Sequence, residues 1–141
     1  MNEIKLKLKD EQKPAYRKHM GIIPKFFGAI NTAPPGSGKS YTTMAAALTF
    51  NFILFIICPL NAIGTWTEYT EINKIKAIII SYDNLIIKGK KSKHGFLQKR
   101  FDKTYQITDK FREILNQKIL LIFDESQYAK NPITIRCKAC H

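Results

Sequence analysis

Two stretches of this chain are apolar at every position, residues 52–58 (FILFIIC) and 119–123 (ILLIF). A strand with one face in water alternates polar and apolar side chains. A run that is apolar on both faces belongs to a strand covered on both sides, as in parallel sheets. Residues 75–81 (IKAIIIS) form a third candidate strand, and residues 26–31 (FFGAIN), which end in a Pro-Gly turn, a fourth. The segments between them are long enough to hold helices. Residues 10–20 predict a short helix with Pro14 in its first turn. Residues 39–50 switch to strong helix formers, including Met44, Ala45, Ala46, Ala47 and Leu48. Residues 66–73 are compatible with a helix, and 108–117 (TDKFREILNQ) predict an amphipathic one capped by Thr108. This alternation predicts one α/β domain over residues 1–141, with a mainly parallel sheet flanked by helices. In such sheets ligands bind beyond the carboxyl ends of the strands.

Two of these strands run directly into segments that carry chemistry. Residues 33–40 read A-P-P-G-S-G-K-S, a phosphate-loop pattern with Ala33 in place of the first glycine. A turn of consecutive backbone N–H groups at a helix N-terminus can surround a polyphosphate. Gly36 and Gly38 allow the unusual dihedrals and close approach this requires, while Pro34 and Pro35 have no N–H to donate. Lys39 would reach the β- and γ-phosphates and the Ser40 hydroxyl would bind magnesium. The nucleotide-binding set on this reading is Pro35, Gly36, Ser37, Gly38, Lys39, Ser40 and Tyr41.

Asp124 and Glu125 come directly after the run at 119–123. An aspartate at a strand end can hold the magnesium that Ser40 also contacts, and the next carboxylate can orient or deprotonate the attacking water. Adjacent acids at a strand end are also common as plain turn residues. The phosphate loop tips the choice toward the metal site, with Lys39 and Glu125 as the catalytic pair.

Charge agrees with a polyanionic partner. Lys and Arg number 23 against 11 for Asp and Glu, a net charge of +12, which attracts nucleic acid, nucleotides or an anionic membrane surface. A Lys-rich AT-biased genome produces the same excess without any partner. The basic stretch at 88–100 reads as a solvated loop, with phosphate-backbone tracking as the alternative. The opening ten residues carry no secretory signal, and the longest apolar run, 50–60, is far short of the ~20 residues of a membrane helix. Three cysteines, an odd number, suggest no disulfide framework. The expectation is a soluble intracellular protein, cytoplasmic or nuclear, with a viral source also compatible. Residues 137–141 (CKACH) match the haem-attachment spacing, but without an export signal neither haem nor zinc is expected. Trp66 and Tyr82 read as packing residues, with base stacking as the alternative.

Five segments carry a family likeness in their order along the chain. They are Leu8-Lys9-Asp10-Glu11-Gln12; the loop at 33–40; Cys58-Pro59-Leu60-Asn61 with Trp66; Ile80-Ser81-Tyr82-Asp83; and Asp124-Glu125-Ser126-Gln127 with Lys130-Asn131, Thr134 and Arg136. Together they resemble the motifs of superfamily II helicases and translocases, particularly the Swi/Snf-like branch. The resemblance implies a RecA-like P-loop lobe, with ATP and Mg2+ as cofactors and nucleic acid, DNA favoured over RNA, as partner. It implies that Gln12 reads the adenine edge and that Ser81 and Tyr82 lie near nucleic acid. It also implies that Gln127, where the branch usually has His, couples hydrolysis to motion in an altered way. Members work in a cleft between two lobes. The sequence stops at His141, before the next motif, so the second lobe with its arginine fingers is expected from another chain or from a continuation of this one. A finger is worth ~10³–10⁵ in rate, which predicts slow hydrolysis by this lobe alone. The rival expectations are a non-catalytic nucleic-acid-binding remnant and an unrelated packaging-type ATPase.

Overall fold

The computed structural model describes residues 6–26, 34, 36–86, 95–102 and 104–125. In chain order the elements are α1 (Lys13–Phe26), α2 (Lys39–Phe50), β1 (Ile53–Cys58), α3 (Ile63–Ile72), β2 (Ala77–Ser81), β3 (Leu97–Lys99), β4 (Tyr105–Ile107), α4 (Asp109–Leu115) and β5 (Ile119–Phe123). Among the described residues the fold is α/β, with a three-stranded sheet in the order β2-β1-β5 and both pairings parallel.

Strand β1 is central and its side chains alternate between two cores. Phe55 and Ile57 point to one face, where they meet Phe96, Leu97, Phe111 and Ile114 from the β3–β4 hairpin and α4. Leu54, Ile56 and Cys58 point to the other, against Met44 and Ala47 of α2 and Trp66 of α3. Every residue from Leu54 to Cys58 is at most 2% exposed. This is why the run is apolar on both faces. The register brings the strand ends level: Cys58 pairs with Ser81 and Ile57 with Phe123, and the Asp124 N–H continues the ladder to the Ile57 carbonyl at 2.9 Å. Cys58, Ser81 and Asp124 therefore share the carboxyl edge of the sheet.

Several expectations change. Helix α1 does not stop at Met20 but runs to Phe26, through Gly21 and with Pro24 in its last turn. Neither residue breaks the helix there. Gly21 costs only ~1 kcal/mol relative to alanine, and a proline this late removes one hydrogen bond where few remain to be made. Phe26 thus belongs to a helix, not to the candidate strand at 26–31, whose remaining residues lie outside those described. The basic stretch is not loop throughout, because Leu97–Lys99 pairs antiparallel with Tyr105–Ile107. Phe96 and Leu97, 4% and 7% exposed, anchor it in the core. Thr108 caps α4 as expected, its hydroxyl accepting from Phe111 N–H at 3.3 Å. Residues 88–94 and the motifs from Ser126 to His141 lie outside the described residues. Among the described residues no helix is long and apolar enough to cross a membrane.

Helix α1 packs on α2, and the Tyr16 and Thr49 hydroxyls are hydrogen-bonded at 2.8 Å. His19, only 8% exposed, is held below its ordinary pKa of 6.5 by burial and by the charge of Lys18. The folded state thus prefers neutral His19, and its contribution to stability is complete above pH 6.5. On acidification the unfolded chain binds the proton first, so stability falls from pH 6.5 down to the lowered folded value. Urea unfolding between pH 7 and 5 is expected to show this decline, and His19→Gln to flatten it. Equal slopes for the two proteins would rule it out.

Candidate functional site

The glycine-rich loop is built by two left-handed residues. Gly36 and Gly38 both have φ of +78°, a region where L side chains are strained. Gly38 is the N-cap of α2, with no side chain capping the helix. The first turn therefore leaves its amide donors aimed into the loop, the arrangement that favours an anion. Ser37 N–H donates to the Pro34 carbonyl at 3.3 Å and closes the turn. Lys39 Nζ donates to the same carbonyl at 3.0 Å, so the ammonium folds back over the loop. The Thr42 and Thr43 hydroxyls donate to the Lys39 carbonyl at 2.8 and 2.9 Å and fix the first turn. The Ser37 hydroxyl is buried and, among the described residues, has no hydrogen-bond partner. A buried orphan of this kind calls for an explanation such as a ligand. Ser40 and Tyr41 are half-buried in the first turn of α2, and Pro35 lies outside the described residues.

Gln12, 8% exposed, lies against this loop. Its Oε1 accepts from Lys9 N–H at 3.0 Å, and a Cβ at position 38 would collide with its Nε2. Glycine at 38 is thus required by dihedral, and any side chain there would also have to displace the Gln12 amide. Gln12 and the loop, far apart in sequence, form one constellation.

The second constellation surrounds Asp124. Its Oδ2 accepts from the Trp66 indole N–H at 2.8 Å. Its backbone carbonyl accepts from the Tyr82 hydroxyl at 2.9 Å. Among the described residues Oδ1 accepts no hydrogen bond. Cys58 lies nearby: burial, then the negative charge of Asp124, pushes its thiol up to about 11, and it donates weakly to the Ile80 carbonyl at 3.7 Å. Glu125, exposed, has φ of +54°, a left-handed conformation that is uncommon away from glycine. Such outliers cluster at functional sites.

Ser81 and Tyr82 are 2% and 3% exposed. The Ser81 hydroxyl accepts from Asn84 N–H at 3.2 Å, and Asp83 is exposed in the same turn. Trp66 is 4% exposed, so both aromatic rings are packing residues, as the sequence suggests. Their polar tips, which sequence reasoning missed, converge on Asp124. The only sequence signal was that both sit just past strands ending beside the acidic pair. Gln127 and the Cys-Lys-Ala-Cys-His segment lie outside the described residues. Among those described, no cluster of three His, Cys, Asp or Glu side chains forms, and magnesium carried on phosphates needs none.

Comparison with known proteins adds one relationship. The chain is 29% identical over 142 aligned positions to a protein of Acanthamoeba polyphaga mimivirus named "Putative ATP-dependent RNA helicase". The relationship is helicase-like. The match covers 94% of this chain but 26% of the viral protein, so the chain spans about a quarter of that helicase-named relative. No model of a known protein family matches the chain, and no solved structure matches it significantly.

Proposed function

We propose that this chain is the ATP-binding, RecA-like lobe of a nucleic-acid-dependent ATPase, a superfamily II helicase or translocase of the Swi/Snf-like type. One observation carries the reading: two glycines at φ +78° lead into a 12-residue helix that begins at Lys39. The buried Ser37 hydroxyl, unpartnered among the described residues, supports it, as does Asp124 at the carboxyl edge of the sheet.

In this reading the backbone N–H groups from Gly36 onward, with Ser37, cradle the phosphates, and Lys39 leaves the Pro34 carbonyl to pair with the β- and γ-phosphates. Gln12 reads the adenine edge from beside Gly38. The donor set fits a hard divalent ion, because the Ser40 hydroxyl and the Asp124 carboxylate supply oxygen ligands. A magnesium ion held by these residues would supply charge neutralisation for the transferred phosphoryl group. Glu125 orients or deprotonates the attacking water. The nucleic acid is drawn by the +12 net charge. The mimivirus relative is named for RNA, while the extended acidic motif resembles that of DNA translocases, and our reading favours DNA. A second lobe carrying finger arginines completes the cleft.

Calorimetric titration of the polypeptide with AMP-PNP tests this. Affinity is expected to rise by about tenfold, the scale of one charge-assisted contact, when magnesium replaces EDTA. Asp124→Asn is expected to erase most of that gain and to leave binding in EDTA unchanged. No affinity at millimolar nucleotide, or a gain that survives Asp124→Asn, would sink the reading.

A further inference from the structure

Helix α3 touches both constellations. Trp66 and Tyr69 lie three residues apart, a spacing that puts two side chains on one helix face. Trp66 donates to Asp124 Oδ2 at 2.8 Å. The Tyr69 ring packs on Tyr41, two residues into α2 after Lys39, with centroids 5.2 Å apart. One helix therefore braces the start of the helix that leaves the glycine-rich loop and also holds the acidic side chain.

The backbone of Asp124 is fixed without Trp66. Its N–H is bound to the Ile57 carbonyl at 2.9 Å, and its own carbonyl to the Tyr82 hydroxyl at 2.9 Å. What those bonds leave undetermined is the rotation of the carboxylate. The indole N–H removes that freedom by tying down Oδ2. If the indole only filled volume, its N–H could be satisfied by any backbone carbonyl, since a buried indole needs just one acceptor. Here the acceptor is a carboxylate proposed above as a ligand of the cation, so its orientation matters.

We infer that Trp66 is a positioning residue: it locks the Asp124 carboxylate so that Oδ1 is presented to a divalent cation, while Tyr69 keeps α3 in step with the phosphate-loop helix. This rests on the nucleotide-binding reading above and specifies how its two halves are held in place. A fixed ligand loses less rotational freedom on binding, so the effect falls on cation-dependent affinity. Nucleotide binding in the absence of metal does not require it.

Trp66 is the only tryptophan in the sequence, so it also reports on the contact. Trp66→Phe keeps an aromatic ring and removes the donor. Its affinity for AMP-PNP in EDTA is expected to match that of the wild type. The magnesium concentration for half-saturation is expected to rise by about tenfold, as loss of a hydrogen bond to a charged group predicts. Equal magnesium dependence in the two proteins overturns the inference, as does a parallel loss of binding in EDTA, which marks a purely structural ring. If the variant does not fold, the wild-type emission decides. Adding magnesium to the AMP-PNP-bound protein should change Trp66 fluorescence in the wild type and not in Asp124→Asn. Unchanged emission during a calorimetrically confirmed magnesium effect overturns the inference and leaves the nucleotide reading standing. Absence of any AMP-PNP binding by the wild type overturns both.

Discussion

Phe55→Ala is expected to destabilise the domain by ~3–5 kcal/mol, the usual cost of emptying a buried phenylalanine site. Phe55 is 0% exposed on the central strand. Its ring stacks on Phe111 at 5.1 Å and meets Phe96 edge-on at 5.1 Å. These contacts join three pieces of chain: the sheet, the residue that leads into the β3–β4 hairpin, and α4. Truncation removes the transfer energy of one large side chain and both aromatic contacts, each worth ~0.5–1.5 kcal/mol. Collapse cannot refill the space easily, because strands on either side of β1 hold its backbone. Typical domain stability is ~5–15 kcal/mol, so the loss is a large share of the whole. The melting midpoint followed by far-UV circular dichroism should fall by about 10–20 °C. A fall of only a few degrees would mean that the aromatic cluster is not packed as described.

Lys39→Ala is expected to have the largest effect on function, with little effect on the fold. Lys39 is half-exposed, and its ammonium contacts the Pro34 carbonyl of its own loop, so the core does not depend on it. In the proposed complex that ammonium leaves the Pro34 carbonyl for phosphate oxygens. Each hydrogen bond to a charged group is worth ~1.5–3 kcal/mol, so AMP-PNP affinity should drop by about ten- to a hundred-fold. Any hydrolysis supported by a second lobe should fall by about 10²–10³, the scale set by losing one preorganised donor in an active site. Calorimetry gives the first quantity and phosphate release the second, with an unchanged melting midpoint as the control. Wild-type affinity in the variant would mean that the loop does not hold a triphosphate as proposed.

The core of the sheet was legible because burial on both faces writes itself into composition. Residues 52–58 had to be a strand covered on both sides, and they are. Residues 119–123 pair beside them as read, but among the described residues Leu121 and Phe123 stay 39% exposed, so that strand is not covered on both faces. Thr108 announced the start of α4 because a capping hydroxyl is a local device. Helix α1 was misjudged at its end, where Gly21 and Pro24 look like stop signals but fall where a helix can absorb them. The β3–β4 hairpin escaped notice because three-residue strands are too short to show a period. In the candidate site, the loop glycines and the acidic pair were readable as motifs, since each depends on neighbours in sequence. The bonds from Trp66 and Tyr82 to Asp124 were not, because they join residues that only the folded sheet brings together. Likewise, the spacing of residue types gave no hint that Gln12 would press on Gly38.

The strand order β2-β1-β5 also sets a sequence of events during synthesis. Once β2 has left the ribosome it can zip onto β1, because only a short 3-10 turn and α3 separate them. Ile53 must wait for Ile119, its distant partner, to emerge before the other edge can close. The aspartate lies one residue beyond that last strand. A nascent chain therefore has its glycine-rich turn long before its acidic corner, and cannot assemble the complete pocket until the sheet has closed.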